Sequence, residues 1–289
     1  MSDLALEAAV DELFINIDEN MIQSYLNHEY PFHLASRDGN TPMLLALIQR
    51  CRDRVNSATT DLVRPLHEAS LFGHLDCVKA LLKAGAEVNV RNIDGATPLC
   101  DACCCGNTDI VQILLSYGAV VNPPLLLATP LHEAVLRDNW KCTELLVDAG
   151  AKLDSSDCHF GTPLHICAMK GYTMSAEILL AAGAKVNVIH MHNAPLHEAA
   201  RSQYMEVLLL LLNYGANVYA RNSHSKTASD LVPSSTSPAK QLLQYWESNP
   251  RALCYLCRQT IRDTLGCTRL SHINHFLLPK FLKDYLLFL

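Results

Sequence analysis

The chain has 289 residues, 49% of them apolar, and carries a net charge of −6 with a pI near 6.1. That apolar content can bury a large core, which excludes a disordered chain, and the acidic balance argues against nucleic acid, which needs a basic face. The N-terminus "MSDLALEAAVDELF" lacks the basic-then-apolar design of a signal peptide, and no uncharged apolar run approaches the roughly 18 residues of a membrane span. The expectation is a reduced, cytoplasmic protein, with the nucleus also open to it, no membrane partner, and cysteines that serve mostly as small buried hydrophobes.

In chain order, residues 1–30 read as a helical N-terminal cap. One phrase then recurs: "RPLHEAS", "ATPLCDA", "ATPLHEA", "GTPLHIC" and "APLHEAA", with prolines at Pro65, Pro98, Pro130, Pro163 and Pro195, spaced by 33, 32, 33 and 32. A Gly-Ala pair keeps the same beat at Gly85, Gly118, Gly150, Gly183 and Gly215. Thr97, Thr129 and Thr162 can cap a helix through their hydroxyls, and proline suits the first helical position, where its missing N–H costs nothing. The glycine ends a second helix in the left-handed conformation. A period near 33 with T-P-L-H-x-A resembles the ankyrin repeat, two helices and an extended finger per unit. One such unit cannot bury its own apolar face, so neighbours must stack on it.

The first unit is easily misplaced. "DGNTP" at Asp38 looks like a start, but only one helix fits between it and Val55-Asn56. "PFHLASRDGN" fits better, so six full repeats are expected over 31–227, beginning at Pro31, Pro65, Pro98, Pro130, Pro163 and Pro195. The helix–helix turns carry Gly39, Gly73, Gly106 and Gly171, but Asp138 and Gln203 in repeats four and six. Aspartate tolerates a left-handed backbone and glutamine does so poorly.

His67, His132, His165 and His197 recur at the structural period, which makes them structural rather than catalytic. No H-E-x-x-H, phosphate loop or nucleophile–base pair stands out, so no catalytic site, metal or cofactor is expected. Cys103 to Cys105 lie in a first helix and read as buried packing. Finger tips fall near Arg91–Asp94, Asn122–Leu125, Ser156–His159, His190–His192 and Arg221–Ser223. Asn122, Leu125, His159, His190 and His192 are the candidates for contact with a protein substrate. "NPPLLL" at Asn122 is unusually apolar, and apolar surface often marks a partner site. Trp140 is read as helix packing.

Residues 228–248 read as a partial seventh unit and linker, interrupted by "PSSTSP". The tail 249–289 then poses a choice. Cys254, Cys257, His272 and His275 lie near zinc-finger spacing, although H-x-x-H is one residue short of the usual. Against this, Asn249-Pro250 starts a helix and Gly266 stops it. Leu253, Leu256, Cys257, Ile261, Thr264 and Leu265 fall on one face between them, with Arg258 and Arg262 on a different side. The helix is preferred, and its apolar stripe needs a partner.

"LCYLCRQTIRDTLG" resembles the elongin-binding box of SOCS-box proteins, with Leu253, Cys257 and Ile261 matching and Leu256 on the same stripe. "FLLPKFLKDYLLFL" resembles the cullin box, with Leu278, Pro279, Leu282, Lys283, Tyr285 and Leu286 matching. The first proline of the usual Leu-Pro-Leu-Pro is missing, and Ala252 stands where the family often has Ser, Thr or Pro. Repeats followed by both boxes resemble the ankyrin repeat and SOCS box family. The resemblance implies an all-α fold, an ankyrin-repeat solenoid followed by a small three-helix SOCS box. It implies elongin C, elongin B and a cullin, expected to be cullin five with its RING protein, as partners. It implies a substrate-recognition adaptor of a ubiquitin ligase that performs no chemistry itself. Two alternatives stay open: a plain ankyrin scaffold whose tail caps the array, and a zinc-binding tail.

Overall fold

The computed structural model describes residues 19–124, 128–234, 236–249, 253–270, 272–276 and 278–287. Leu125 and residues 1–18 of the expected cap lie outside the described residues. The chain divides into two compact units, Met1–Pro130 and Leu131–Leu289.

In the first unit, α1 (Glu19–Leu26) precedes three helix pairs: α2 (Pro31–Arg37) with α3 (Thr41–Arg50), α4 (Pro65–Leu71) with α5 (Leu75–Lys83), and α6 (Pro98–Cys105) with α7 (Thr108–Ser116). The first pair begins at Pro31, and "NTP" opens its second helix, where the Asn40 side chain accepts from the Met43 N–H at 3.1 Å. First helices pack on first helices (α2 on α4, α4 on α6) and second on second (α3 on α5, α5 on α7). Leu44, Leu47, Leu66, Leu81, Ile110 and Leu114 fill the layer between them.

The second unit repeats this plan with α8 (Pro130–Leu136) and α9 (Trp140–Asp148), α10 (Pro163–Lys170) and α11 (Thr173–Ala181), α12 (Pro195–Ser202) and α13 (Met205–Asn213). α14 (Ala228–Leu231) packs on α12 and α15 (Pro238–Ser248) on α13, in the manner of a seventh pair. Thr227 and Asp230 form a reciprocal cap: the Thr227 hydroxyl accepts from the Asp230 N–H, and the Asp230 carboxylate accepts from the Thr227 N–H. α16 (Leu253–Leu270) and α17 (Lys280–Leu287) follow. Among the described residues, β pairing is limited to isolated bridges at two finger tips, Asp157 with Gly161 and His190 with Asn193.

The recurring histidine does two jobs in three of the repeats. Its Nδ1 accepts from the backbone N–H three residues back: Arg64 to His67 at 3.1 Å, Thr162 to His165 at 3.3 Å, Ala194 to His197 at 3.2 Å. That leaves the proton on Nε2, which donates to a carbonyl in the next finger: His67 to Ala96 at 3.2 Å, His165 to Asn193 at 3.2 Å, His197 to Ala220 at 3.2 Å. His33 reaches Val63 O and His132 reaches Gly161 O in the same way, each at 2.9 Å. Cys100 replaces histidine in the third repeat, where the Thr97 hydroxyl lies 3.5 Å from its sulfur. Thr97 caps its helix, accepting from the Cys100 N–H at 3.4 Å. Thr162 does not: its hydroxyl meets His165 Nδ1 at 2.8 Å.

Cysteine burial is more mixed than expected. Cys103 is buried, Cys104 half-buried and Cys105 exposed, because successive helical residues point about 100° apart. Cys77, Cys100, Cys142 and Cys167 are buried, whereas Cys158 and Cys257 are exposed.

At the helix–helix turns Asp138 and Gln203 adopt the left-handed backbone, with φ of 56° and 61°. The reason for glutamine is Ser237, whose hydroxyl, at the start of α15, donates to Gln203 Oε1 at 2.7 Å. Relief of left-handed strain and loss of this bond are each about 1 kcal/mol and of opposite sign. Gln203→Gly is therefore expected to leave stability nearly unchanged, and Gln203→Ala to lower it by about 1 kcal/mol, read from urea unfolding.

Burial holds His67 down to about 4 and also lowers His33, His132, His165 and His197. The unfolded chain takes up these protons near pH 6.5, before the folded one does. The contribution of His67 is thus complete above pH 6.5 and is lost as pH falls toward about 4, and the other four histidines act in the same direction. The urea midpoint should drop between pH 7.5 and 5.5, and His67→Gln should shrink that drop.

Candidate docking surface of the C-terminal helices

α16 is two helical pieces joined at Gly266, whose φ of 68° and ψ of 173° only glycine adopts readily. A Cβ there would meet nothing, so backbone conformation alone demands the glycine. The stop falls where the sequence places it.

The helix is turned opposite to the usual amphipathic sense. Tyr255, Arg258, Arg262 and Leu265 recur at steps of 3, 4 and 3 and face the protein. Arg262 is only 5% exposed. Its Nη2 donates to Leu180 O at 2.8 Å and Ala181 O at 3.3 Å, and its Nη1 to Leu286 O at 2.5 Å. The Tyr214 ring centroid lies 5.4 Å from its guanidinium carbon. The Tyr255 hydroxyl is shared between Leu212 O, at 2.6 Å, and Asn213 O. Arg258 sits between the rings of Tyr255 and Tyr285, 4.9 and 4.7 Å from their centroids. Leu265 packs with Ile273, Leu286 and Leu287.

The apolar side faces solvent. Leu256 is 48% exposed and Ile261 44%, with Cys257, Thr260 and Thr264 exposed beside them. The expected stripe therefore divides: Leu256, Cys257, Ile261 and Thr264 point outward, whereas Leu265 turns inward to the small core. Leu253 opens α16, but its side chain, like that of Cys254, lies outside what is described. On α17 and just before it, Phe276, Leu278, Pro279, Phe281 and Leu282 are exposed. Tyr285 is half-buried and engaged by Arg258, so it serves the inner face. The rings of His272 and His275 lie 5.9 Å apart. Among the described residues no three His, Cys, Asp or Glu side chains gather as metal ligands would.

The finger candidates are scattered in kind. Asn122 is half-buried, and Arg91 Nη1 binds Pro124 O beside it at 2.8 Å. His159 is exposed. His190 is not a free tip residue: it lies over Gly161, edge-on to His165 at 5.9 Å, with Nδ1 3.4 Å from the Ser156 hydroxyl. His192 is exposed in a two-residue turn, with Met191 and His192 both left-handed at φ of 43° and 80°. Exposed Met191 lies within the expected finger tip beside it, and exposed Ile189 just outside that tip. Trp140 opens α9 and is 37% exposed.

Comparison with known proteins agrees with this geometry. The family model described as "Ankyrin repeats (3 copies)" matches residues 4–92, 90–157 and 131–222, and the SOCS box model matches residues 249–287. The human ASB11 ankyrin repeat domain superposes with a TM-score of 0.71 at 39% identity, over 77% of this chain and 99% of that one. The chain belongs to the ankyrin repeat and SOCS box family. Among its relatives, ankyrin repeat and SOCS box protein 9 of Mus musculus is 42% identical over 168 residues, 58% of this chain and 57% of that protein. Protein 13 of Homo sapiens is 45% identical over 165 residues, 57% of this chain and 59% of that protein. The chain thus spans less than two thirds of the relatives it matches. The ankyrin domain of Bcl-3, with a TM-score of 0.64 at 24% identity, is a likeness of fold alone.

In this family member the outward stripe contributes little to folding. Leu256→Glu and Ile261→Glu should each shift stability by less than about 0.5 kcal/mol, whereas Leu265→Asp should destabilise, as thermal melts of the three variants will read.

Proposed function

We propose that this chain is the substrate-recognition adaptor of a cullin-RING ubiquitin ligase. The observation that carries the reading is the reversed helix. A helix that serves only to cap an array buries its apolar side and shows its charges; α16 instead buries Arg262 and leaves Leu256 and Ile261 exposed, with Leu265 turned inward. Its exposed Leu256, Cys257 and Ile261 suit a helix laid into an apolar groove, in this family that of elongin C, with Leu253 as the expected anchor and elongin B alongside. The exposed Leu278, Pro279 and Leu282 form the segment offered to a cullin, expected to be cullin five with its RING protein. The missing first proline of the cullin box makes that contact the weaker of the two.

The ankyrin array holds a protein target, with His159, His192 and the neighbouring Ile189 and Met191 among the surfaces offered to it. The chain's contribution is proximity: it brings a target lysine to ubiquitin activated on other subunits, and no group of its own touches the reacting atoms. Among the described residues no helix is long and apolar enough to cross a membrane.

Co-purification on a sizing column tests the reading. Wild type is expected to elute with elongin B and elongin C in a stoichiometric complex. A Leu256→Asp, Cys257→Asp variant should elute alone while keeping its circular dichroism and melting temperature, because loss of anchors at the centre of an interface costs about 2 kcal/mol or more each. Wild type eluting alone would sink the adaptor reading and leave a scaffold or a metal-binding tail. Leu278→Asp, Leu282→Asp should lose the cullin and keep the elongins.

A further inference from the structure

The inner face of α16 has a regular relation to the array beneath it. Tyr255 reaches the last turn of α13 at Leu212 and Asn213, and Arg262 reaches the last turn of α11 at Leu180 and Ala181. Leu180 and Leu212 are the same position in successive repeats, each accepting from the glycine three residues on, Gly183 and Gly215. The two clasping residues are seven apart on their own helix, a rise of about 10.5 Å at 1.5 Å per residue. Neighbouring packed helices lie about 8–10 Å apart. The α16 spacing therefore matches the step between repeats, and one helix caps two helix ends at once.

The chemistry suits the place. Helix C-termini leave carbonyls in need of donors and carry partial negative charge, which favours a cation. The guanidinium has five N–H donors in a rigid plane, and here they reach three carbonyls with the Tyr214 ring beside them. Its third carbonyl, Leu286 O, belongs to α17, so one side chain ties together α11, α16 and α17. Arg258, held between Tyr255 and Tyr285, joins α16 to α17 a second time.

We infer that Tyr255 and Arg262 form a two-point clasp that fixes the docking helix to repeats five and six as one body, so that Arg262 is a positioning residue for ubiquitin transfer. This rests on the adaptor reading for its consequence, but the clasp itself does not. The outward stripe lies on the other side of α16, so elongin capture and orientation are separable. A target held on the last repeats is presented at an angle that the clasp sets, which restricts the lysines that can be reached.

The test uses the full chain with elongin B and elongin C, comparing wild type with Arg262→Gln, Arg262→Lys and Tyr255→Phe. Elongin co-purification is expected to be unchanged in all four. Amide hydrogen exchange in 178–183, 210–216 and α16 should quicken at least tenfold in Arg262→Gln. The rise should be confined to 210–216 in Tyr255→Phe and should be smaller in Arg262→Lys, which satisfies fewer carbonyls. In an assembly reconstituted with cullin, RING protein and ubiquitin, the lysines of the chain itself serve as the probe. Modification among Lys152, Lys170, Lys185 and Lys226 should be restricted in wild type, spread in Arg262→Gln and return toward the wild-type pattern in Arg262→Lys. Exchange and modification patterns that match wild type in Arg262→Gln would overturn the proposal. If Arg262→Gln does not fold, Tyr255→Phe, which removes a single oxygen, decides through 210–216. Failure of wild type to hold elongins would strike the adaptor reading, and the exchange data would still judge the clasp.

Discussion

The hydrogen bond from a buried imidazole to the carbonyl of the next finger is the constraint on which the array depends. A pair of short helices cannot bury its own apolar face, so each unit's stability is borrowed from its neighbour. The histidine makes that borrowing specific in register. One nitrogen is committed to the backbone three residues back, which fixes the tautomer, and the other then has a single donor aimed at the neighbouring unit. His67, His165 and His197 show the complete arrangement. Burial keeps these rings neutral, and neutrality is what allows one nitrogen to accept while the other donates.

The same economy governs the C-terminal helices. The ends of α11 and α13 present the carbonyls of Leu180, Ala181, Leu212 and Asn213 to α16, with the Tyr214 ring beside them. A helix that covers them must therefore bring donors, and α16 brings Tyr255 and Arg262. Leu256 and Ile261 are left on the other side, where they stand exposed. Attachment and display follow from one rotation of the helix about its axis: turning the donors inward turns the apolar stripe outward.

The repeat and its helix pairs were legible because they rest on local chemistry, whereas of the expected threonine caps Thr97 makes its bond and Thr162 turns to His165 instead. Pro31 as the first start followed from the room available for two helices, and the helix pair at Pro31–Arg50 answers to that count. Gly266 stopped its helix through a backbone conformation that no other residue takes easily. Gln203 could be flagged as strained from the sequence, but its reason could not be found there. Ser237 is 34 residues away and lies within the stretch "PSSTSP" that interrupts the last unit. His190 looked like a free finger-tip residue because histidine at a tip is polar and accessible by default; only the fold lays it over Gly161 against His165. Cys105 counted as buried for the converse reason, since three adjacent cysteines on one helix cannot share a face.

By itself, then, the sequence determined the period, the helix ends, the residues sharing each helical face and the family they resemble, because these are set by bonds and sterics within a few residues. Tertiary structure decided which face of α16 turns inward, which carbonyls Arg262 and Tyr255 satisfy, and that Leu265 and Tyr285 leave the displayed surface for the inner one. Helical periodicity assigns residues to faces but carries no information on what lies opposite them. Here helix-end carbonyls that can each accept a second donor outweighed the ordinary preference for burying leucine and isoleucine.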